Sequence, residues 1–305
     1  MANHRPKGVF GVGWACLEAT MQGRAEHRPT SADYPDTVIR RVRFAAGGGL
    51  GWRISALVTP REPPAPWKFV VITGAPSWAE YWAPVMAALP ADREMIVVDR
   101  PGFAASEPAH AVTDIRVQAR ALAPLLEACA DQRIVLIGQS YGGAIATLMA
   151  EANPKRIAGL VLLSSYLGEP GPTARRLLQL GARLSGLIPR DLRNAVTEIH
   201  GQPSQLDQIH RALAALPVPV HVVHGDADDF APIEAAKALT GLRGPRRPMR
   251  FQPVMGGDHF LNDGPVETLL ECMEACIPAK PARPPWRAPQ WLARYAGWFG
   301  TVAAA

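Results

Sequence analysis

The chain alternates short apolar runs with longer amphipathic stretches, and these two periods sort it into strands and helices. Positions 38–44 alternate apolar with basic residues. Positions 52–58 alternate again beyond Gly47-Gly48-Gly49, so the pair predicts a hairpin with one face buried and one solvated. After a proline-rich connector the runs change character. Residues 69–72, 95–98, 134–137, 157–163 and 218–223 are largely uninterrupted apolar segments, as strands covered on both faces should be, and 249–254 adds a further strand. Helical spacing falls between them, over 79–89, from an N-cap at Thr113 to residue 130, from Gly142 onward, and over 232–239 and 265–277. Strands and helices in strict alternation imply a mostly parallel central sheet flanked by helices, built from right-handed crossovers.

The alternation fails between 166 and 214. No strand-like run occurs there; helical pieces over 173–184, 191–200 and 205–216 are separated by Gly and Pro. An insertion of about fifty residues after a sheet strand lies at the edge where open α/β sheets bind ligands, so a small helical cap is expected. The chain therefore divides into an N-terminal extension (1–37, with one short helix around 14–21), a single α/β domain (38–277) carrying that cap, and a C-terminal tail (278–305).

The candidate chemistry sits at the ends of the buried strands. Gly138-Gln139-Ser140-Tyr141-Gly142 joins the strand at 134–137 to a helix, a G-x-S-x-G pattern in a turn so tight that a Cβ at 138 or 142 would collide with its surroundings. Such a turn pushes the Ser140 hydroxyl into the open at a helix N-terminus. A serine nucleophile needs a base to take its proton and an acid to orient that base. Asp228 and His259 meet the requirement in the order Ser, Asp, His, each in a loop just after its own strand. The strand at 69–72 runs into Thr73-Gly74-Ala75-Pro76, so the Ala75 N–H is one candidate oxyanion donor and the Tyr141 N–H, next to the serine, is the second. Trp78 and Tyr166 are candidates for lining the substrate pocket. Arg100, after the strand at 95–98, reads as a residue that holds its turn through carbonyl and carboxylate contacts.

Four segments together, GQSYGG at 138–143, DRPGFAASEP at 99–108, GDADDFAP at 225–232 and GGDHFL at 256–261, resemble the α/β-hydrolase superfamily in its serine esterase/lipase-like branch. The resemblance covers roughly 38–277. It implies that Ser140 attacks a carbonyl carbon, that His259 passes the proton to the leaving group, and that water hydrolyses the acyl-enzyme. The family's acid commonly stands three residues after the Gly and four before the Pro of the third segment, which selects Asp228 over Asp226 and Asp229. One departure is Thr73-Gly74, where the family commonly reads His-Gly. The expected activity is hydrolysis of a carboxylic ester. Acyl transfer or cleavage of a C–C bond beside a ketone on the same three residues, and a ligand receptor without turnover, are the alternatives.

Composition narrows the picture slightly. With 48% hydrophobic residues in 305, the chain can bury a substantial core. The four cysteines, Cys16, Cys129, Cys272 and Cys276, show neither a disulfide framework nor metal-ligand spacing. No phosphate-cradling motif occurs and the basic residues form no nucleic-acid footprint, so no cofactor, metal or nucleic acid is expected. The net charge of +5 is uneven, since no acid follows Glu274 whereas Lys280, Arg283, Arg287 and Arg294 do. Trp291, Tyr295, Trp298 and Phe299 would share one helical face in that tail. Such a face suits packing on the body or a second copy, or a peripheral contact with an anionic membrane. No apolar run reaches about 18 residues, and a cytoplasmic enzyme acting on a small-molecule ester is the default reading.

Overall fold

The apolar runs become the strands of one eight-stranded sheet ordered β1-β2-β4-β3-β5-β6-β7-β8. The computed structural model describes residues 39–128, 131–243 and 249–277. The extension, the tail, Cys16 and Cys129 lie outside the described residues, as do the expectations placed on them. The strands are β1 (Arg40–Ala45), β2 (Arg53–Val58), β3 (Trp67–Ile72), β4 (Arg93–Val98), β5 (Arg133–Gln139), β6 (Ile157–Leu163), β7 (Val220–Gly225) and β8 (Arg250–Val254). The α-helices are α1 (Ala83–Ala87), α2 (Ile115–Ala121), α3 (Gly142–Ala152), α4 (Pro172–Arg183), α5 (Arg190–Gly201), α6 (Leu206–Ala215), α7 (Ile233–Thr240) and α8 (Val266–Glu274). The β1–β2 and β2–β4 pairings are antiparallel and every other pairing is parallel.

Period-two alternation splits each central strand between two cores. Val70, Ile72, Ile134 and Leu136 face one core, with α2, α3 and α6; Phe69, Val71, Val135 and Ile137 face the other, with α1 and α8. Cys272 and Cys276 are free thiols buried in the second core. The inserted segment holds α4, α5 and α6: α4 and α5 line a cavity at the strand ends, whereas α6, ending at Ala215, packs in the first core with α3.

Two helical expectations need correction. The N-cap of α2 is Asp114 rather than Thr113, its carboxylate accepting from the N–H groups of Arg116 and Val117. That helix ends at Ala121 and a 3₁₀ turn, Ala123–Leu126, replaces its expected continuation. Pro124 supplies no N–H to the ladder there. The expected helix over 79–89 is likewise a 3₁₀ turn, Ala79–Trp82, running into the short α1, which closes before Pro90.

The junction between β5 and α3 positions the site, and its glycines are imposed by contact. A Cβ on Gly142 would lie 2.1 Å from the Ile72 carbonyl oxygen, and one on Gly138 would lie 2.5 Å from the Gly143 Cα. Helix α3 is thereby drawn against the end of β3, and residues 142–150 are all buried. Gly142→Ala must displace backbone rather than a flexible side chain, which costs at least about 1–3 kcal/mol. It is expected to lower the urea midpoint, whereas Gly186→Ala, where a Cβ meets nothing within 4 Å, leaves the midpoint nearly unchanged. Urea unfolding followed by circular dichroism checks both.

Candidate active site

Ser140 is held at φ = 50°, in the left-handed region that side chains rarely adopt. Three hydrogen bonds keep it there: its N–H donates to Leu163 O at 3.0 Å, and its own carbonyl accepts from Gly143 N–H at 3.0 Å and Tyr166 N–H at 3.1 Å. The strained turn aims the side chain out of the sheet edge, where Oγ lies 2.8 Å from His259 Nε2. His259 Nδ1 lies 2.8 Å from Asp228 Oδ2. Residues 119 and 31 positions apart in the chain are thus placed in one line at the ends of β5, β7 and β8.

The loop after β7 separates its three acids. Asp228 Oδ1 accepts from the N–H groups of Phe230 and Ala231, both at 2.9 Å, which leaves Oδ2 for His259 and for His224 Nε2 at 3.2 Å. Asp226 instead accepts from Gly256 N–H at 2.6 Å, and Asp229 from the Thr173 hydroxyl at 2.5 Å. Burial pushes the Asp228 carboxyl up. The charge of His259 and the hydrogen bonds from His224, His259 and Ala231 outweigh that, so it is held well below the usual carboxylate range. With Asp228 ionised, His259 Nδ1 donates to it and Nε2 is the acceptor for the Ser140 hydroxyl. Phe230 stacks on the imidazole with centroids 5.1 Å apart and planes 18° apart, and Phe260 meets it edge-on.

Ala75 and Tyr141 both line the same cavity as Ser140. Neither backbone N–H has a protein acceptor among the described residues. Gly74 lies against the nucleophile's side chain, since a Cβ there would sit 2.9 Å from Ser140 Cβ. At the position where the resembled family commonly carries His, Thr73 uses its hydroxyl to bind Val98 O at 3.0 Å and the Ser77 hydroxyl, tying the β3 and β4 turns together.

The cavity has a volume of about 540 Å³. Trp78 and Tyr166 are among the residues that line it. Much of its aliphatic wall comes from the inserted helices, through Leu177, Leu184, Ile188, Leu192, Val196 and Ile199. Helix α5 has a second, polar face: Asp191 accepts from Trp78 Nε1 at 3.1 Å, Asn194 donates to Gly102 O at 2.6 Å, and Glu198 accepts from Arg100 at 2.8 Å. The sequence reading missed this seam, although polar residues at 191, 194 and 198 with apolar ones at 192, 195, 196 and 199 carry its helical period. Arg100 makes the carbonyl and carboxylate contacts expected of it, to Gly74 and Glu198, but the turn whose carbonyl it holds is the one after β3 rather than its own.

A family model described as the alpha/beta hydrolase fold matches residues 69–198. The solved 2-hydroxy-6-oxo-6-phenylhexa-2,4-dienoate hydrolase from Rhodococcus sp. strain RHA1 superposes with a TM-score of 0.61 over 80% of this chain and 100% of its own, at 19% identity. The chain has the α/β-hydrolase fold. A thermophilic esterase from Thermogutta terrifontis shares the fold as closely, with a TM-score of 0.59 over 84% of this chain and 98% of that one, at 20% identity. By sequence, this chain is 28% identical over 206 residues to a 2-hydroxy-6-oxononadienedioate/2-hydroxy-6-oxononatrienedioate hydrolase of Paraburkholderia xenovorans strain LB400, covering 54% of this chain and 71% of that protein. The neighbours therefore include C–C bond hydrolases beside esterases, and the fold does not select between them. Among the described residues, no helix is long and apolar enough to cross a membrane.

The depressed Asp228 carboxyl has a consequence for stability. A group whose folded pKa lies below its unfolded value contributes stability that is present above the unfolded pKa, about 4, and is lost as pH falls through the folded one. Thermal melts of wild type and Asp228→Asn at a series of pH values should therefore differ most above about pH 4. The gap should close on acidification below that value; a gap that widens in acid contradicts the assignment.

Proposed function

We propose that this α/β hydrolase attacks a carbonyl carbon with Ser140, activated by His259 and oriented by Asp228, and passes through an acyl-enzyme. The observation that carries the reading is the continuous relay from Ser140 Oγ to His259 to Asp228, 2.8 Å at each step, opening into the apolar cavity beneath the cap. His259 takes the hydroxyl proton as Oγ bonds to the carbonyl carbon. The Ala75 and Tyr141 N–H groups receive the charge that develops on the carbonyl oxygen, and two such donors in a water-poor site are worth several kcal/mol of transition-state stabilisation. The imidazolium then gives its proton to the leaving group, and a water activated by the same imidazole releases the acid.

The bond broken is, on the strength of the sequence relatives, a carbon–carbon bond beside a ketone. When the tetrahedral adduct collapses, the electron pair of that bond passes to the departing carbon, which is stabilised as an enolate by the substrate's own conjugation and protonated from His259. A specific observation favours a second reading, carboxylic ester hydrolysis. The relative's named substrates are dioates, which carry two carboxylates, whereas the cap wall is built from Leu, Ile and Val, where an unpaired carboxylate is costly to bury. The wall suits an uncharged, elongated acyl group.

The expected outcome is that a fluorophosphonate adds one equivalent to the peptide containing Ser140, and that Ser140→Ala abolishes the adduct on folded protein. Asp228→Asn should lower kcat about three to four orders of magnitude, as substitutions that leave the wrong tautomer do, with Asp226→Asn and Asp229→Asn costing far less. Two assays divide the readings: p-nitrophenyl esters of rising chain length, and the loss of absorbance of a 2-hydroxy-6-oxo dienoate. Turnover of the dienoate supports C–C hydrolysis; turnover of esters alone removes it. Labelling at another serine defeats the whole reading.

A further inference from the structure

Arg100 and Glu198 form a fully buried ion pair, both side chains at 0% exposure, and neither residue lines the cavity. The guanidinium lies over the Phe103 and Tyr141 rings, 4.6 and 4.9 Å from their centroids. Its Nε and Nη2 both donate to the Gly74 carbonyl, at 3.1 and 2.9 Å. Nη1 donates to Gln118 Oε1 and Glu198 Oε2, each at 2.8 Å. The other Glu198 oxygen accepts from Gln118 Nε2, also at 2.8 Å.

A buried ion pair is a poor source of stability, because desolvation of the two charges consumes most of their attraction. The orientation of the Gly74 carbonyl supplies a better reason for this one. In a planar trans peptide the C=O and the following N–H point in opposite directions. Two guanidinium N–H groups on the Gly74 oxygen therefore aim the Ala75 N–H the other way, toward the cavity that Gly74, Ala75 and Ser140 line together. Residue 74 has to be glycine because of its contact with Ser140. Glycine is also the residue that least resists peptide rotation. Rotated, the same peptide would present a carbonyl oxygen to the developing negative charge in place of a donor.

We infer that Arg100 is a positioning residue for the Ala75 amide, and that Glu198, carried on cap helix α5, ties this placement to the seated cap. Asp191 and Asn194 belong to the same seam, so a cap lifted from the strand ends releases the partner that fixes Arg100. The inference rests on the reading that the Ala75 N–H receives the oxyanion.

Because the substrate is not identified, the test uses the second-order rate constant for labelling of Ser140 by a fluorophosphonate, measured on full-length protein by mass spectrometry. Arg100→Met/Glu198→Met removes both buried charges together and should keep the melting temperature close to wild type, since apolar replacement of a buried pair is often neutral or stabilising. Its labelling rate should fall about ten- to a hundredfold, the scale of a lost oxyanion donor. Arg100→Lys, which can bring a single N–H to Gly74 while keeping a cation opposite Glu198, should fall between the two. A folded double variant labelled within twofold of wild type overturns the inference while the proposed function stands. A wild-type protein that is not labelled at Ser140 overturns the proposed function, and this inference with it. Should the double variant not fold, Arg100→Lys decides: a wild-type rate at unchanged melting temperature refutes the positioning role, and a slower rate upholds it.

Discussion

The structure depends on one steric constraint, the close approach of β3, β5 and α3 around Ser140. A serine at positive φ is unfavourable in isolation, by roughly 1–3 kcal/mol, and persists only where its surroundings over-determine it. Here the surroundings are backbone: the Ile72 carbonyl against Gly142, the Gly143 Cα against Gly138, and Leu163 and Tyr166 bonded to the serine's own amide and carbonyl. The constraint that strains the turn also delivers the site. It turns Oγ out of the sheet edge, leaves the Tyr141 N–H without an acceptor among the described residues, and brings Gly74 against Ser140 so that Ala75 lines the same space.

Around that turn the polar and apolar parts of the site come from different directions. Every side chain in the Ser140–His259–Asp228 line stands on a loop after a parallel strand, where a rigid sheet holds the loop ends in register. The aliphatic part of the cavity wall comes instead from the inserted helices, and α5 performs two tasks with its two faces. Leu192, Ala195, Val196 and Ile199 face the substrate space. Asp191, Asn194 and Glu198 fasten the helix to the turns after β3 and β4. Hydrogen-bonded groups at fixed positions specify how the cap sits far better than an apolar interface, which tolerates sliding. A helix docked by a polar seam thus gives the cavity a defined shape and connects it with the Gly74-Ala75 backbone beside Ser140.

How much of this was legible in the chain follows from the range over which each interaction acts. Period-two and continuous apolar runs found all eight strands of the sheet to within about two residues at most boundaries. They succeeded because burial on both faces leaves no polar position to blur the pattern. Local chemistry misled at the short helices: Thr113 precedes a better capping residue, and Pro124 ends a periodicity that its apolar neighbours continue. Ser140 was readable because glycines two residues to either side are a steric requirement written locally. Asp228 and His259 were readable from order and placement after strands, together with the resemblance of their segments to a known family.

By itself the sequence determined the alternating α/β architecture and the loops after strands in which Ser140, Asp228 and His259 stand. The resemblance had already pointed to Asp228 among three neighbouring aspartates; the tertiary structure supplied the contacts, with Asp228 on the imidazole, Asp226 on Gly256 and Asp229 on Thr173. It alone brought Arg100 onto the Gly74 carbonyl and Glu198 onto Arg100, joining positions 26 and 98 residues apart. Hydrophobic periodicity reports what a segment does to its own faces. A buried polar contact between distant segments leaves no period behind, and it exists only once the sheet has set the distance between them.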